Sequence, residues 1–353
     1  MSGAVDISYE HGIKITKKGK SLFLDPHRNK PNAIVTHGHA DHLAKKAIMT
    51  HPTKDILKIR RNWDASASLD YGQKLAIDDM EMQFLDAGHV LGSAMVMIDD
   101  ILYTGDFNPE GGLTSGKAQP HRCRDMVVES TYGKRCYSLP DKQEVVSDFV
   151  AWLESVLEEN SAIIGCYEFG KAQEIIAICN KNLQREVHVP LQTARLCEVY
   201  AKHGIELDYR VLDDSWFEND SKQIHRVEAY RNQRNPEKTA GIKTDSDYSR
   251  KDTRIIVVPP SWLKWRGDNY WQIHKEKKKG ASTCYVSGWC AFYRRGDIDA
   301  DSSFPLSDHA DFDDILEFVS ACSPEKVYTV NGSTAELAVE IRKTLGIAAE
   351  PLN

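Results

Sequence analysis

The stretch THGHADH, residues 36–42, places three of the chain's thirteen histidines and one aspartate within six positions. A single histidine in a turn is usually an ordinary polar residue, but His37 and His39 alternate as they would at the end of a strand, so both side chains point the same way. Asp41 and His42 continue into a loop or the start of a helix. Imidazoles and carboxylates suit zinc or a similar transition metal. Because no cysteine lies nearby to close a structural tetrahedron, the stretch predicts an open, catalytic metal site.

The whole chain has the composition of a folded protein that works inside the cell. Its 353 residues are 41% hydrophobic and 27% charged, enough for two ordinary domains or for one large domain with an insertion. No apolar run is long enough to span a bilayer, and the first residues, MSGAVDISYEHGIK, lack the apolar core of a signal peptide. Eight scattered cysteines without a Cys-x-x-Cys pair indicate reduced thiols. We therefore expect a cytoplasmic or nuclear protein without membrane association.

The hydrophobic pattern changes near residue 140. Short strands joined by tight turns precede this point, and a long amphipathic helix begins after Pro140. Strands and helices then alternate up to about residue 202, which predicts a parallel α/β sheet. The strongly polar residues 213–252 predict a helix and surface loops.

The last part of the chain has the pattern of a helix, a strand and a helix, over residues 312–321, 326–330 and 334–345. We expect it to complete the domain that the first part begins, so that one discontinuous outer domain carries an α/β insertion. The predicted boundaries are residues 1–138 and 303–353 for the outer domain and 139–302 for the insertion, and the predicted fold class is α/β.

Further residues of ligand type follow other predicted strands. His89 lies in the Gly-flanked stretch AGHVLGS, and Asp106 lies in YTGDF. Either residue alone would most often be a cap or a turn residue, but with residues 36–42 they form a coherent set. Asp25, at the end of an earlier strand, is expected to orient the ligand loop through hydrogen bonds. The expected arrangement is one site of His37, His39 and His89, a second that Asp41 and His42 begin, and Asp106 as the bridge.

This ordered set of aspartates and histidines resembles the motifs of the metallo-β-lactamase superfamily. The resemblance implies an αββα sandwich with a hydrolytic metal centre at one edge of its two sheets. It implies zinc as the cofactor, as one or two ions, with a second site that is weak or that takes magnesium or manganese. The implied metal ligands are His37, His39, Asp41, His42, His89 and Asp106, of which Asp41 and Asp106 also have catalytic roles.

Three later segments resemble the extra motifs of the β-CASP nucleases in that superfamily: ESTYG at residues 129–133, SDHAD at 307–311 and YTVNG at 328–332. The α/β segment between the first two lies where that group inserts its β-CASP domain. The resemblance implies that His309 protonates a leaving oxygen or stabilises phosphoryl charge, and that Glu129 orients its imidazole. Taken singly, His309 is more typical of a helix-entry cap, and Glu129 of an acidic residue in a strand-end turn.

The third motif separates DNA-cleaving from RNA-cleaving members. RNA-cleaving members such as ribonuclease J generally carry a histidine there, whereas this chain has Val330-Asn331-Gly332, similar to the Artemis-type and interstrand-crosslink-repair branch. The segment IIGCYEFGKAQE, residues 163–174, resembles the part of that branch that holds a terminal 5′ phosphate, and its Gly-Lys pair would face an anion at a helix start. Its Ala-Gln-Glu ending is closer to RNA endonucleases, so the type of nucleic acid stays open. The implied substrate-binding residues are Tyr167, Gly170, Lys171, Ser130 and Val330.

Aromatic and basic residues alternate near the end of the insertion. They are Trp262, Lys264, Trp265, Arg266, Tyr270 and Trp271, with Lys275 to Lys279 beyond. Rings between cations suit stacking on bases and neutralisation of phosphates, although the same rings would equally fill the core of the insertion. The net charge of −7 argues mildly against binding nucleic acid through the overall field, but it leaves room for a local basic surface.

The sequence therefore favours a metal-dependent phosphodiesterase that acts on nucleic acid, most closely a 5′-to-3′ DNA exonuclease of DNA repair or end processing. DNA is the expected partner and RNA the alternative, in which case the chain is an RNA-processing β-CASP ribonuclease. A third hypothesis is a catalytically weak nucleic-acid-binding subunit, against which the complete ligand set argues. The large insertion and the Glu129–His309 pair argue against a fourth, a small-molecule ester or lactam hydrolase.

Overall fold

The computed structural model describes residues 5–39, 44–212, 216, 253–267 and 269–352. The chain divides into two compact units: unit 1 comprises residues 1–139 and 308–353, and unit 2 comprises residues 140–307. Two predictions lie outside the described residues: the metal ligands Asp41 and His42, and, apart from Trp216, the helix and loops expected over residues 213–252.

Strands and helices follow one another along the described chain. The strands are β1 (Val5–Tyr9), β2 (Ile13–Lys17), β3 (Lys20–Leu24), β4 (Ala33–Ile34), β5 (Ile48–Thr50), β6 (Ala67–Leu69), β7 (Lys74–Ile77), β8 (Met80–Asp86), β9 (Ala94–Ile98), β10 (Ile101–Tyr103), β11 (Asp125–Ser130), β12 (Ala162–Gly165), β13 (Val187–Val189), β14 (Tyr209–Val211), β15 (Ile255–Val258), β16 (Ser282–Val286), β17 (Ser302–Phe304), β18 (Lys326–Gly332) and β19 (Ala348–Pro351). The helices are α1 (His51–Arg61), α2 (Lys142–Leu157), α3 (Lys171–Leu183), α4 (Leu191–Lys202), α5 (Tyr270–Lys278), α6 (Phe312–Cys322) and α7 (Thr334–Leu345). In this described part of the chain, no helix is both long and apolar enough to cross a membrane.

Unit 1 contains two sheets. The first has six strands in the order β1 to β6, antiparallel from β1 to β3 and parallel from β3 to β6. The second has seven, in the order β19-β18-β11-β10-β9-β8-β7. Strand β18 pairs in parallel with β11, with Val330 opposite Glu129. Residues that precede and follow unit 2 in the chain therefore contribute strands to one sheet.

Helices cover the outer faces of these two sheets. Leu57 of α1 packs against β5 on the first sheet. Residues of both sheets, among them Leu22 and Phe84, form a buried core between them, where each side chain of this kind contributes about 1.5–3 kcal/mol. On the far face of the second sheet, Ile315 of α6 packs in one cluster with Met126. The layers follow the order αββα, so the predicted fold class is confirmed.

The described residues of unit 2 form one six-stranded sheet in the order β14-β13-β15-β12-β16-β17, and the pairings between these strands are all parallel. Strands β12 and β15 are buried along their whole length, as central strands of a parallel sheet covered by helices are. The parallel sheet predicted from the alternating pattern is confirmed, and α3 (Lys171–Leu183) is one of the helices that alternate with its strands. Asp141 caps α2, because its side chain accepts hydrogen bonds from the N–H groups of Gln143 and Glu144.

One glycine at the end of β18 is required by the close approach of two strands. Gly332 has a φ of +94°, and a Cβ atom there would lie 2.3 Å from the carbonyl oxygen of Ser130 on β11. We expect Gly332→Ala to lower the free energy of unfolding by more than the ~1–2 kcal/mol of left-handed strain alone. The control is Gly346→Ala, since Gly346 has a φ of +68° with no atom within 4 Å of the added carbon. Equal losses in thermal melts of the two variants would contradict the close-approach argument.

Candidate metal centre

The ligand side chains lie in loops that follow strands of both sheets of unit 1. His37 and His39 follow β4 of the first sheet, His89 follows β8 and Asp106 follows β10 of the second. Gly105 has a φ of +54°, so the turn that carries Asp106 adopts a conformation that glycine tolerates best. Loops from the two sheets therefore deliver their side chains to one place.

One donor atom from each of these four residues lies within 4.8 Å of all the others. His39 Nδ1 is 3.2 Å from His89 Nε2. Asp106 Oδ2 is 3.4 Å from His37 Nε2 and 3.8 Å from His89 Nε2. Imidazole nitrogens and a carboxylate oxygen at such separations are donors that zinc takes in proteins.

A hydrogen-bonded chain fixes the orientation of His37. The buried Asp25 carboxylate accepts from the N–H of Thr36 at 2.8 Å, from its hydroxyl at 2.6 Å and from the hydroxyl of Tyr103 at 2.9 Å. Because the Thr36 hydroxyl donates to Asp25, it accepts from Nδ1 of His37, 2.9 Å away. In the neutral form that binds metals, the His37 ring would then direct the lone pair of Nε2 toward Asp106, 3.4 Å away. A cation between these two atoms would be attracted to both of them.

A backbone carbonyl fixes His89 in the same way. Nδ1 of His89 is 2.9 Å from the carbonyl oxygen of Asp308, which can only accept, so Nδ1 donates the hydrogen bond. The lone pair of Nε2 is therefore available on the side of His39 and Asp106. Metal-binding histidines commonly use their second nitrogen in this manner.

A second group of acid and imidazole side chains shares Asp106 with the first. Donor atoms of Asp106, Glu129 and His309 also lie within 4.8 Å of one another. Nδ1 of His309 donates to the Glu129 carboxylate, 3.0 Å from Oε2. Glu129 is fully buried, and it also accepts from the backbone N–H of Phe107 at 2.7 Å and from the Thr131 hydroxyl. A carboxylate held on three sides in this way keeps the attached imidazole in one orientation.

The same carboxylate changes the proton affinity of His309. Burial lowers the pKa of His309, but the charge and the hydrogen bond of Glu129 outweigh that effect, with smaller contributions from Asp106 and Asp308, and raise the pKa to about 9. His309 therefore carries a positive charge at neutral pH. With Nδ1 bonded to Glu129, its Nε2–H is the proton that it can offer to a substrate.

The two predicted substrate-binding residues of unit 1 are not exposed. Ser130 and Val330 are both fully buried, and the Ser130 hydroxyl donates to the Val330 carbonyl oxygen at 2.8 Å. This bond from a side chain to a backbone carbonyl connects β11 to β18 inside unit 1. Contrary to the expectation from their motifs, the two buried side chains are not placed to contact a substrate.

The predicted phosphate-binding residues belong to unit 2. Tyr167 is exposed, whereas Lys171, the first residue of α3, is buried. Gly170 precedes the helix with a φ of +86°, and its N–H already donates to the side chain of Gln173 at 2.8 Å. The N–H of Ala172 likewise donates to the Tyr167 carbonyl oxygen at 3.0 Å. Part of the predicted anion-binding backbone thus already donates hydrogen bonds within the protein. The prediction of a phosphate site therefore depends more on Lys171 than on the N-terminus of the helix.

Several residues of the site have no signal in the sequence pattern. Tyr103 ends an apolar strand and gives no indication that its hydroxyl reaches Asp25. The carbonyl of Asp308 and the N–H of Phe107 act through the backbone, which the identity of a side chain does not reveal. Thr36 could have been found, because it stands directly before His37 in the ligand stretch.

We expect Asp25→Asn to lower the affinity for zinc by about 10–100-fold, the usual effect of losing a group that orients a metal-binding histidine. The amide can no longer accept all three hydrogen bonds that the carboxylate accepts from Thr36 and Tyr103. Competition against a chromogenic chelator measures the change. Tyr103→Phe, which removes one of the three bonds, should give a smaller loss. An unchanged zinc affinity together with a lower melting temperature would restrict Asp25 to a structural role.

Comparison with curated proteins finds relatives along most of the chain, although no protein-family model matches. A protein of Opitutus terrae named as a probable DNA ligase is 25% identical over 353 residues, which cover 96% of this chain and 30% of the relative. The cleavage and polyadenylation specificity factor subunit 3 of Dictyostelium discoideum is 26% identical, over 91% of this chain and 48% of the relative. An RNase J-like protein of Methanocaldococcus jannaschii is 27% identical, over 43% of this chain and 44% of the relative. The chain thus spans less than half the length of each of these three relatives.

Proposed function

We propose that this chain, because it belongs to the β-CASP group of the metallo-β-lactamase superfamily, is a metal-dependent nuclease that hydrolyses phosphodiester bonds. The observation that carries the proposal is the position of Asp106, which belongs both to the three-histidine group and to the Glu129–His309 pair. An ester or lactam hydrolase needs the first group alone. The second group, the Glu129–His309 pair, places the protonated imidazole of His309 beside the candidate metal centre. Its positive charge suits a phosphodiester, which carries negative charge. In this assignment unit 2 is the β-CASP insertion.

Each residue of the site has a proposed role. His37, His39, His89 and Asp106 would hold zinc, and Asp41 and His42 stay candidates for a second ion. A bound divalent cation lowers the pKa of water toward ~7 and neutralises charge on the phosphoryl oxygens. His309 attracts the phosphodiester through its positive charge and gives its Nε2 proton to the leaving oxygen. Glu129 holds the imidazole in the required orientation and keeps it protonated.

Within this class we favour DNA and cleavage from a 5′-phosphorylated end. The relative named as a probable DNA ligase aligns with 96% of this chain, so a region of this kind occurs in a protein that is named for joining DNA. Val330 stands where RNA-cleaving members of the group carry histidine. Lys171, at the start of α3, is the candidate ammonium for a terminal phosphate, although its side chain is buried. The rival is an RNA-processing nuclease, supported by the relative from Dictyostelium, whose name concerns cleavage and polyadenylation and which aligns with 91% of this chain.

The test is to incubate the purified chain with zinc and matched DNA and RNA oligonucleotides that bear either a 5′ phosphate or a 5′ hydroxyl. Stepwise shortening of 5′-phosphorylated DNA, absent in an Asp106→Ala control, would support the proposal in full. Preferential cleavage of RNA would establish the rival. Zinc binding without cleavage of either polymer would contradict the nuclease and favour a nucleic-acid-binding subunit.

A further inference from the structure

Helix α5 of unit 2 presents an exposed face that combines aromatic and basic side chains. Its buried residues are Gln272 and Ile273. The exposed residues are Trp271, His274, Lys275 and Lys278. Their spacing of three, one and three residues puts all four on one side of the helix. The face is therefore continuous.

Aromatic rings extend this face beyond the helix. Trp265 is 63% exposed, and its ring centroid lies 5.2 Å from that of Tyr270. The Tyr270 ring is in turn nearly parallel to that of His274, at 25° and 6.3 Å. The Lys275 ammonium lies 6.0 Å from the centre of the Trp271 ring. Of the two alternatives that the sequence left open for these tryptophans, core packing holds for Trp262, which is buried, but Trp265 and Trp271 stay on the surface.

The residues around this face carry a net positive charge, whereas the whole chain is negative. Residues 260–280 contain six lysine and arginine residues and two acidic residues, whereas the whole chain has a net charge of −7. Some of these cations are neutralised locally: Lys277 pairs with Asp299 and Asp301, and Lys279 pairs with Glu276. Arg266 and Lys278 are exposed and form no ion pair within the described residues. Positive charge is thus retained beside the exposed rings.

We propose that Trp265, Trp271, His274, Lys275 and Lys278 of unit 2 form a binding surface for single-stranded nucleic acid. Exposed rings stack on unpaired bases of any sequence, and neighbouring cations neutralise the phosphates between them. A duplex keeps its bases stacked on one another and offers these rings no partner. The biological role of this surface rests on the proposed function, since a nuclease would gain affinity for its substrate from it. Whether the surface binds single strands is tested by binding measurements alone.

The experiment measures fluorescence anisotropy of a labelled oligothymidylate of about 16 nucleotides. The full chain carries Asp106→Ala, so that cleavage does not consume the probe. Trp271→Ala is expected to weaken binding at least about five-fold, and Trp271→Phe, which keeps a stacking ring, to restore most of it. Lys278→Glu is expected to lower the slope of log affinity against log salt by about 0.7 or more. The matched control is Lys181→Glu, because Lys181 is also an exposed lysine in the last turn of a helix of unit 2.

The outcomes separate this surface from the nuclease proposal. If Trp271→Ala and Lys278→Glu bind the oligonucleotide as tightly as Lys181→Glu does, the surface is overturned, whether or not the parent chain cleaves nucleic acid. A blunt duplex that competes as well as the single strand also overturns it. A third outcome is that binding depends on Trp271 although the chain without Asp106→Ala cleaves neither DNA nor RNA. This outcome supports the binding surface and contradicts only the proposal of a nuclease.

Discussion

Replacing Asp106 with alanine is expected to abolish cleavage of nucleic acid, with a loss in kcat/KM greater than the ~100-fold that the removal of an orienting group costs. Its Oδ2 faces Nε2 of His37 at 3.4 Å and Nε2 of His89 at 3.8 Å. The same residue contributes to the high pKa of His309. One substitution therefore removes the anionic member of the candidate metal centre and lowers the pKa of His309.

Three measurements define this result. Initial rates on a labelled oligonucleotide give the loss of activity, metal analysis gives the zinc content, and a thermal melt shows whether the chain is folded. Asp106→Asn keeps the shape of the side chain without its charge and should be nearly as inactive. Asp79→Ala is the control, because this exposed aspartate lies in unit 1 and pairs only loosely with Lys18, at 3.5 Å. An Asp106→Ala protein with full activity would refute the candidate metal centre.

The second large effect concerns His309. We expect His309→Gln to lower kcat by about 10²–10⁴-fold, the range that a positioned proton donor contributes. Because the Glu129 carboxylate raises the pKa of His309 to about 9, the imidazole is protonated throughout the neutral range and loses its proton as the pH rises through that value. The rate of the unmodified chain should therefore fall above about pH 9. Glu129→Gln lowers this pKa and should move the fall in rate to a lower pH.

A pH–rate profile together with metal analysis distinguishes proton donation from metal binding at His309. If the residue donates a proton, His309→Gln keeps its zinc and its activity no longer shows the decline near pH 9. If the variant instead loses zinc in proportion to its activity, His309 is a ligand and the assigned role is wrong. The ring centroids of His309 and His89 are only 4.4 Å apart, which makes this control necessary.

The sequence predicted the parts of the site whose signal is local. His37 and His39 stand two residues apart at the end of a strand, and α3 begins after a glycine, so pattern and spacing sufficed for both. The contacts between distant residues were not predictable in this way. Asp25 meets Tyr103, 78 residues away, and His89 meets the carbonyl of Asp308, 219 residues away. Such pairs depend on how the sheets pack, which hydrophobic periodicity does not encode.

Local sequence patterns did not predict two of the helices or the burial of two side chains. Helix α1 (HPTKDILKIRR) and helix α5 (YWQIHKEKK) bury only three and two residues, and one of these in each helix, Thr53 and Gln272, is polar. Neither helix therefore has a wide apolar stripe by which the sequence would indicate it. Motif position suggested that Ser130 and Val330 contact the substrate, but the pairing of β11 with β18 buries both. A residue within a functional motif can support the backbone instead of the ligand, and only the neighbouring strand decides between these roles.

The division of the site between the two ends of the chain has a consequence for protein synthesis. All of the candidate metal ligands precede residue 107, but the carbonyl that fixes His89 and the imidazole of His309 belong to residues 308–353. Until these are translated, β11 is an open strand edge, because its partner β18 does not yet exist. Under the proposed function, a nascent chain would therefore be an incomplete nuclease until residues 326–332 pair with β11. We expect cleavage only from chains in which this sheet is complete.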